Sequence, residues 1–164
     1  MVKKIVGTGV LLVLALALQA GVKMYTLKSP DGKVKLEVTA GQGIAYSLFY
    51  DGRLLLKPSR IALHTDLPEA DHWENIRITG TKQRHVSETV QAAFYRVKEF
   101  GIDCNELELR LNNGFLLLMR AYNDGMAYRF VAGRKGEMTV VEERAEFNFA
   151  DDFEAYIPYS TNPK

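Results

Sequence analysis

Three histidines are the first side chains in this sequence that could hold a metal ion. His64, His72 and His85 are spread over an interrupted stretch and its flanks, and Trp73 follows His72 directly. The histidine ligands of a zinc site come at short helical or hairpin spacing, with further ligands to match. The histidines here lack that spacing, so we expect no metal site within this chain.

Carboxylates near the end of the chain could in principle cleave a glycosidic bond, which requires two carboxyl groups flanking that bond. Neighbouring residues of a strand point to opposite faces, however, and acidic runs are usually solvated. We therefore expect no catalytic pair and assign no catalytic residue. The acidic residues considered are Glu142, Glu143, Asp151, Asp152 and Glu154.

Aromatic side chains offer a second kind of chemistry, because their rings can stack on sugar rings. Most aromatic residues of a β-sandwich belong to its core. Each candidate can therefore be interpreted either as a core residue or as a ligand contact. The aromatic residues considered are Tyr46, Tyr50, Trp73, Tyr156 and Tyr159.

Charge and cysteine content exclude several classes of function. The chain has 21 basic and 20 acidic residues, a net charge of +1, which argues against nucleic acid as a partner. Cys104 is the only cysteine, so the fold has no internal disulfide and is held by packing. We find no Ser-His-acid grouping, phosphate loop or cofactor fingerprint.

Alternating apolar and polar residues from Tyr25 onward predict short antiparallel strands and no helix. The central element is a hairpin over residues 115–131, turned by Asn123-Asp124-Gly125. The apolar run Leu116–Met119 before that turn is typical of a strand covered on both faces. Many short strands separated by glycine turns indicate an all-β antiparallel sandwich.

Several boundaries are also predicted from local composition. Pro58-Ser59 is expected to interrupt the strand that follows Asp51-Gly52, and residues 65–75 read as an exposed loop. Two separate strands are expected over 76–81 and 88–98.

The first 20 residues have the features of a secretory signal peptide. Lys3 and Lys4 precede an apolar run from Ile5 to Leu18, and small residues follow, with cleavage expected after Ala20 and a site near Ala17 as the alternative. The alternative is a membrane anchor, but the apolar run is shorter than the roughly 20 residues that span a bilayer. We expect a periplasmic or secreted protein whose mature domain is residues 21–164.

An ordered set of segments resembles the N-terminal domain of glycoside hydrolase family 97, a family of secreted or periplasmic α-glucosidases and α-galactosidases. The likeness covers nearly the whole mature chain. It is carried by residues 29–32 (SPDG), 46–59 (YSLFYDGRLLLKPS), 105–107 (NEL), 122–130 (YNDGMAYRF) and 155–158 (AYIP).

The resemblance implies an antiparallel β super-sandwich similar to galactose mutarotase, followed in the family by a catalytic (β/α)₈ barrel and a small β domain. The barrel would carry the catalytic carboxylates, and a calcium ion would help to hold the substrate site. In the family, one glutamate for that calcium comes from a loop just after the segment similar to Tyr156-Ile157-Pro158. This chain reaches Lys164 without a glutamate there, so we expect the domain to be incomplete at its C-terminal end and to hold no metal.

The resemblance therefore predicts a non-catalytic, carbohydrate-associated domain of an exo-acting α-glycosidase, with an oligosaccharide or glycoside as substrate and the barrel of the same polypeptide as partner. Tyr156, Tyr159 and Asn162 are the residues expected near the sugar, because they approach the calcium loop. A free-standing carbohydrate-binding module and a mutarotase-like enzyme are the alternatives. The resemblance does not decide whether the sugar is glucose or galactose, or whether hydrolysis inverts or retains the anomeric configuration.

Overall fold

The computed structural model describes residues 23–92, 98–133, 135–154 and 156 of the chain. Within these ranges the chain forms strands and no helix, so none of the described residues form a helix that could cross a membrane. The predicted signal peptide lies outside them. The strands are β1 (Met24–Lys28), β2 (Val34–Gly41), β3 (Gly43–Tyr50), β4 (Arg53–Thr65), β5 (Ile78–Gln91), β6 (Glu99–Leu111), β7 (Phe115–Tyr122), β8 (Gly125–Ala132) and β9 (Val140–Ala145).

The described strands make two antiparallel sheets. One has the order β1-β2-β3-β4-β9 and the other the order β5-β6-β7-β8. Contacts of β1 with β6 and of β2 with β7 join the sheets face to face. The all-β antiparallel sandwich predicted from the sequence is confirmed.

The core lies between the sheets and comes from alternate positions of the central strands. On β2 and β3 these are Leu36, Val38, Ile44 and Tyr46, each at most 1% exposed. β6 and β7 face them with a second layer, which consists of Leu107, Leu109, Leu111, Phe115, Leu117 and Met119. The period of two therefore places every second side chain in the core and sets the register of each strand.

Tight turns connect the hairpins at the predicted places. Asp51 and Gly52 both have positive φ, 48° and 80°, as the connection of two twisted strands requires. Tyr122 pairs with Gly125 across the turn of the central hairpin. The side chain of Asn123 in that turn accepts a hydrogen bond from the backbone N–H of Asp31 at 3.0 Å, so two distant turns are joined.

The predicted interruption at Pro58 is wrong, because β4 runs unbroken from Arg53 to Thr65. The register against β3 shifts between the pairs Tyr46–Ser59 and Leu48–Leu56, which marks a β-bulge. Pro58 lies within this irregularity, where its missing N–H removes no ladder hydrogen bond.

Two further predictions need correction. The strands expected over 76–81 and 88–98 are one strand, β5, because its backbone pairs with β6 from Ile78 to Gln91, with one register shift between Ile78 and Gly80. Residues 93–97 lie outside the described part. Leu116 and Leu118 are only half-buried, because no described segment covers the outer face of β7.

The stretch between β4 and β5 was expected to be an exposed loop, and it is instead a folded cap over one end of the sandwich. Trp73 is 8% exposed and its ring stacks on Phe115, with centroids 5.8 Å apart. Ile76 is 1% exposed. We call this stretch, residues 66–77, the capping loop.

Candidate functional site

The three histidines do not converge. His64 lies on β4, His72 lies in the capping loop, and both line one cleft beside the five-stranded sheet. His85 lies on β5 in the other sheet, with Nε2 3.0 Å from a carboxylate oxygen of Asp103. Among the described residues no three or more His, Cys, Asp or Glu side chains are grouped so that they could hold a metal ion. Calcium takes six to eight oxygen ligands, so the described residues do not fit a calcium site of their own.

The acidic residues of the last strand also fail to form a pair. Glu142 pairs with His64 and Glu143 with Leu63, so the two carboxylates leave opposite faces of β9. Glu143 accepts a hydrogen bond from the hydroxyl of Tyr128 at 3.1 Å. Burial, then that hydrogen bond and the charge of Glu143, raise the pKa of Tyr128, so this hydroxyl stays protonated.

The aromatic candidates separate into core and surface residues. Tyr46 is 1% exposed and its ring lies 6.2 Å from that of Tyr128, while Trp73 packs on the core. Tyr50 and Tyr156 are exposed, Tyr156 by 86%. Tyr159 and Asn162 lie outside the described residues. Of the three residues expected near sugar, the described part thus contains Tyr156 alone, on the surface.

Tyr156 ends a segment that the fold holds along β4. Backbone hydrogen bonds join Lys57 N–H to the carbonyl of Asn148 and Ala150 N–H to the carbonyl of Leu55. Beyond Ala150, the guanidinium of Arg53 lies 5.0 Å from the centroid of the Phe153 ring. These bonds hold residues 148–150 against β4, and the described residues from 146 to 156 include three exposed aromatic side chains, namely Phe147, Phe149 and Tyr156.

Cys104 is not placed for nucleophilic chemistry. It is fully buried, and burial raises the pKa of its thiol. A buried thiol with a raised pKa forms little thiolate, the reactive species.

One ionic cluster was missed by sequence reasoning. Glu106 on β6 is 2% exposed although it lies on the outer face of the four-stranded sheet. Each of its carboxylate oxygens accepts a hydrogen bond, one from Nε of Arg84 and one from Nε of Arg120, both at 2.7 Å. Burial alone would raise the pKa of Glu106, but the two arginines outweigh it and lower this pKa below its ordinary value of 4.5. The cluster binds β5, β6 and β7 together.

The described part is thus a β-sandwich domain of two antiparallel sheets. The family model of the glycosyl-hydrolase 97 N-terminal domain matches residues 27–164. The chain belongs to this family, as its sequence resemblance predicted.

Two relatives are named as galactosidases. A retaining alpha-galactosidase of Bacteroides thetaiotaomicron is 39% identical over 150 residues, which are 91% of this chain and 22% of that protein. A probable retaining alpha-galactosidase of Streptomyces bingchenggensis is 27% identical over 132 residues, 78% of this chain and 20% of that protein. The chain spans about a fifth of the length of these relatives.

Solved structures share the fold. A beta-arabinopyranosidase superposes with a TM-score of 0.67 at 25% identity, over 76% of this chain and 21% of that one. A glycoside hydrolase family 97 enzyme from Pseudoalteromonas sp. strain K8, in complex with panose, gives a TM-score of 0.63 at 17% identity, over 77% of this chain and 20% of that one.

The Glu106 cluster yields a prediction on stability. Glu106→Gln leaves two arginines without their anion, so the free energy of unfolding at neutral pH should fall by about 1–3 kcal/mol. Because the folded pKa of Glu106 is lowered, its contribution is present above pH 4.5 and is lost as the pH falls through the lower folded value. Urea unfolding of both chains at neutral and acidic pH measures the difference.

Glu108→Gln is the matched control, because Glu108 lies two residues away on the same face of β6 and pairs with the exposed Arg110 at 3.2 Å. Such an exposed pair should contribute less than about 1 kcal/mol. The role assigned to Glu106 would be contradicted if both substitutions lowered the free energy of unfolding equally. It would also be contradicted if the loss in Glu106→Gln stayed constant down to about pH 3.

Proposed function

We propose that this chain is the N-terminal domain of a larger, exo-acting α-glycosidase that releases a terminal α-linked sugar. The observation that carries the proposal is the match of the family model over residues 27–164. It is supported by relatives about five times longer than the matched region, both named as retaining α-galactosidases. Those names favour galactose over glucose, and retention over inversion.

In this proposal the chemistry belongs to a catalytic domain that follows on the same polypeptide. A retaining glycosidase uses two carboxyl groups about 5–5.5 Å apart, one as nucleophile and one as acid and then base. Glu142 and Glu143 do not form such a pair, because they leave opposite faces of β9. The sandwich would instead support the catalytic domain and wall one side of its pocket.

Calcium and export complete the proposal. A calcium ion at the substrate site would be bound by the following domain together with one glutamate from the loop that comes after the segment similar to Tyr156-Ile157-Pro158, as the resemblance implies. The signal peptide over residues 1–20 would direct the protein to the periplasm or the medium, which is where an enzyme that trims external oligosaccharides meets its substrate.

The size and location of the native polypeptide test this proposal first. An antibody raised against residues 25–150 should detect, in the periplasmic or secreted fraction of the source cell, a product several times heavier than this 18.5 kDa chain. That product should hydrolyse an aryl α-galactoside in a calcium-dependent way. A product of the chain's own size would overturn the proposal and leave a free-standing sugar-binding module, and a cytoplasmic product would overturn its export.

The residues proposed to lie near sugar are Tyr156, Tyr159 and Asn162. Replacing all three by alanine in the longer polypeptide should lower kcat/KM for the aryl α-galactoside about tenfold, the effect of losing about 1.4 kcal/mol of contacts. Tyr50→Ala is the control, because Tyr50 is an exposed tyrosine at the β3–β4 turn. Unchanged kcat and KM in the triple variant would remove these residues from the substrate site.

A further inference from the structure

A polar cleft of about 410 Å³ lies on the outer side of the five-stranded sheet, beside the capping loop. Its volume is within the range of roughly 300–1,000 Å³ that small-molecule sites occupy. Tyr156 is not among its lining residues, whereas Arg60 and Arg144 of the lining contact Glu146, where the segment along β4 begins. The polar side chains that line it are Gln42, Arg60, His64, Asp71, His72, Glu74 and Arg144.

Two rigid elements build the cleft. One wall is the outer face of β4 and β9, where Ala62 pairs with Arg144 and His64 with Glu142. The other wall is the capping loop, which is fixed to β4 by a hydrogen bond from Nε1 of Trp73 to the carbonyl of Leu63 at 3.2 Å. Because Trp73 also packs in the core, the loop cannot move away without opening the sandwich.

His64 and Asp71 face each other across the two walls. Nδ1 of His64 lies 2.8 Å from Oδ1 of Asp71, which also accepts the backbone N–H of Thr65 at 3.3 Å. A carboxylate only accepts, so the proton of a neutral His64 is on Nδ1 and its Nε2 is an acceptor. Both side chains are about one-third exposed, and within the described part of the chain Nε2 of His64 and the second oxygen of Asp71 have no hydrogen-bond partner, so both can bind a ligand.

The rest of the lining is polar on the rim and apolar on the floor. Arg60, His72, Glu74 and Arg144 are exposed, while Ala62 at the base is 5% exposed. The rim carries positively charged arginines and negatively charged carboxylates. Because these charges offset each other, the rim favours a neutral ligand over an anion. A pyranose is complementary to this lining. Its hydroxyl groups donate and accept hydrogen bonds around its edge, and its C–H groups cover its faces.

We propose that this cleft is a saccharide-binding site that holds a neutral pyranoside, with the His64–Asp71 pair at its centre. The choice of a sugar rests on the proposed function, while the location rests on the geometry of the cleft. The site would hold a sugar unit outside the catalytic centre, so that the domain contributes to substrate capture without any bond-breaking step.

Titration of this chain with methyl α-galactoside and methyl α-glucoside tests the proposal. Trp73 is the only tryptophan and it lines the cleft, so its emission reports occupancy. We expect saturable binding with a Kd on the order of 1–10 mM, and perturbation of the His64 ring protons in NMR spectra. Mannitol, an acyclic polyol, should give neither effect.

His64→Ala should weaken binding about tenfold, the effect of losing one directed hydrogen bond in a polar site. His85→Ala is the matched control, because His85 also pairs with a carboxylate but lies on the other sheet. If His64→Ala does not fold, the NMR spectra of the unsubstituted chain test the proposal instead. The sugar must then perturb the signals of His64 and Asp71 most strongly.

The proposal is overturned by the absence of any saturable change up to roughly 50 mM sugar, at which a site with a Kd of roughly 10 mM is more than four-fifths occupied. It is equally overturned by perturbations centred elsewhere, or by equal loss of affinity in the two histidine variants. None of these results bears on the proposed function, which is decided by the size and activity of the native polypeptide.

Discussion

The packing of two apolar sheet faces against each other is the constraint on which the rest of this structure depends. Leu36, Val38, Leu109 and Leu117 are completely buried between the sheets, and the single cysteine excludes an internal disulfide. Stability therefore comes from the area that alternate side chains remove from water. Since a shift of one residue would turn a whole strand inside out, this packing also fixes every register and thus the position of each surface side chain.

The positions of both surfaces proposed to bind sugar follow from that packing. Trp73 contributes to the core and thereby holds the capping loop against β4, which brings Asp71 to His64. The backbone of Asn148 and Ala150 pairs along β4 and thereby holds the residues that precede Tyr156. The chemistry proposed for this domain is binding and support, and each part of it is positioned by a buried element.

The sequence was sufficient for the fold class and the hairpins, because alternation and glycine turns are local signals. The sequence was insufficient where the local structure depends on contacts with residues that are distant along the chain. Pro58 reads as a strand breaker until the pairing with β3 shows that β4 bulges at Lys57 and Pro58. Glu106 reads as a solvated residue of an alternating strand, and only the pairing of three strands places Arg84 and Arg120 on either side of it. The capping loop looked exposed because its composition is polar, whereas Trp73 and Ile76 are buried.

The most direct test of the central claim, that this domain supports a glycosidase without performing its chemistry, is an assay of the purified and folded chain alone. Its hydrolysis of an aryl α-galactoside should not exceed the buffer blank, with or without calcium, because the proposal places the catalytic carboxylates in the following domain and because Glu142 and Glu143 leave opposite faces of β9. Turnover that purifies with the chain, and that disappears when Glu142 or Asp151 is replaced by its amide, would show that the domain is itself a catalyst and would contradict the account.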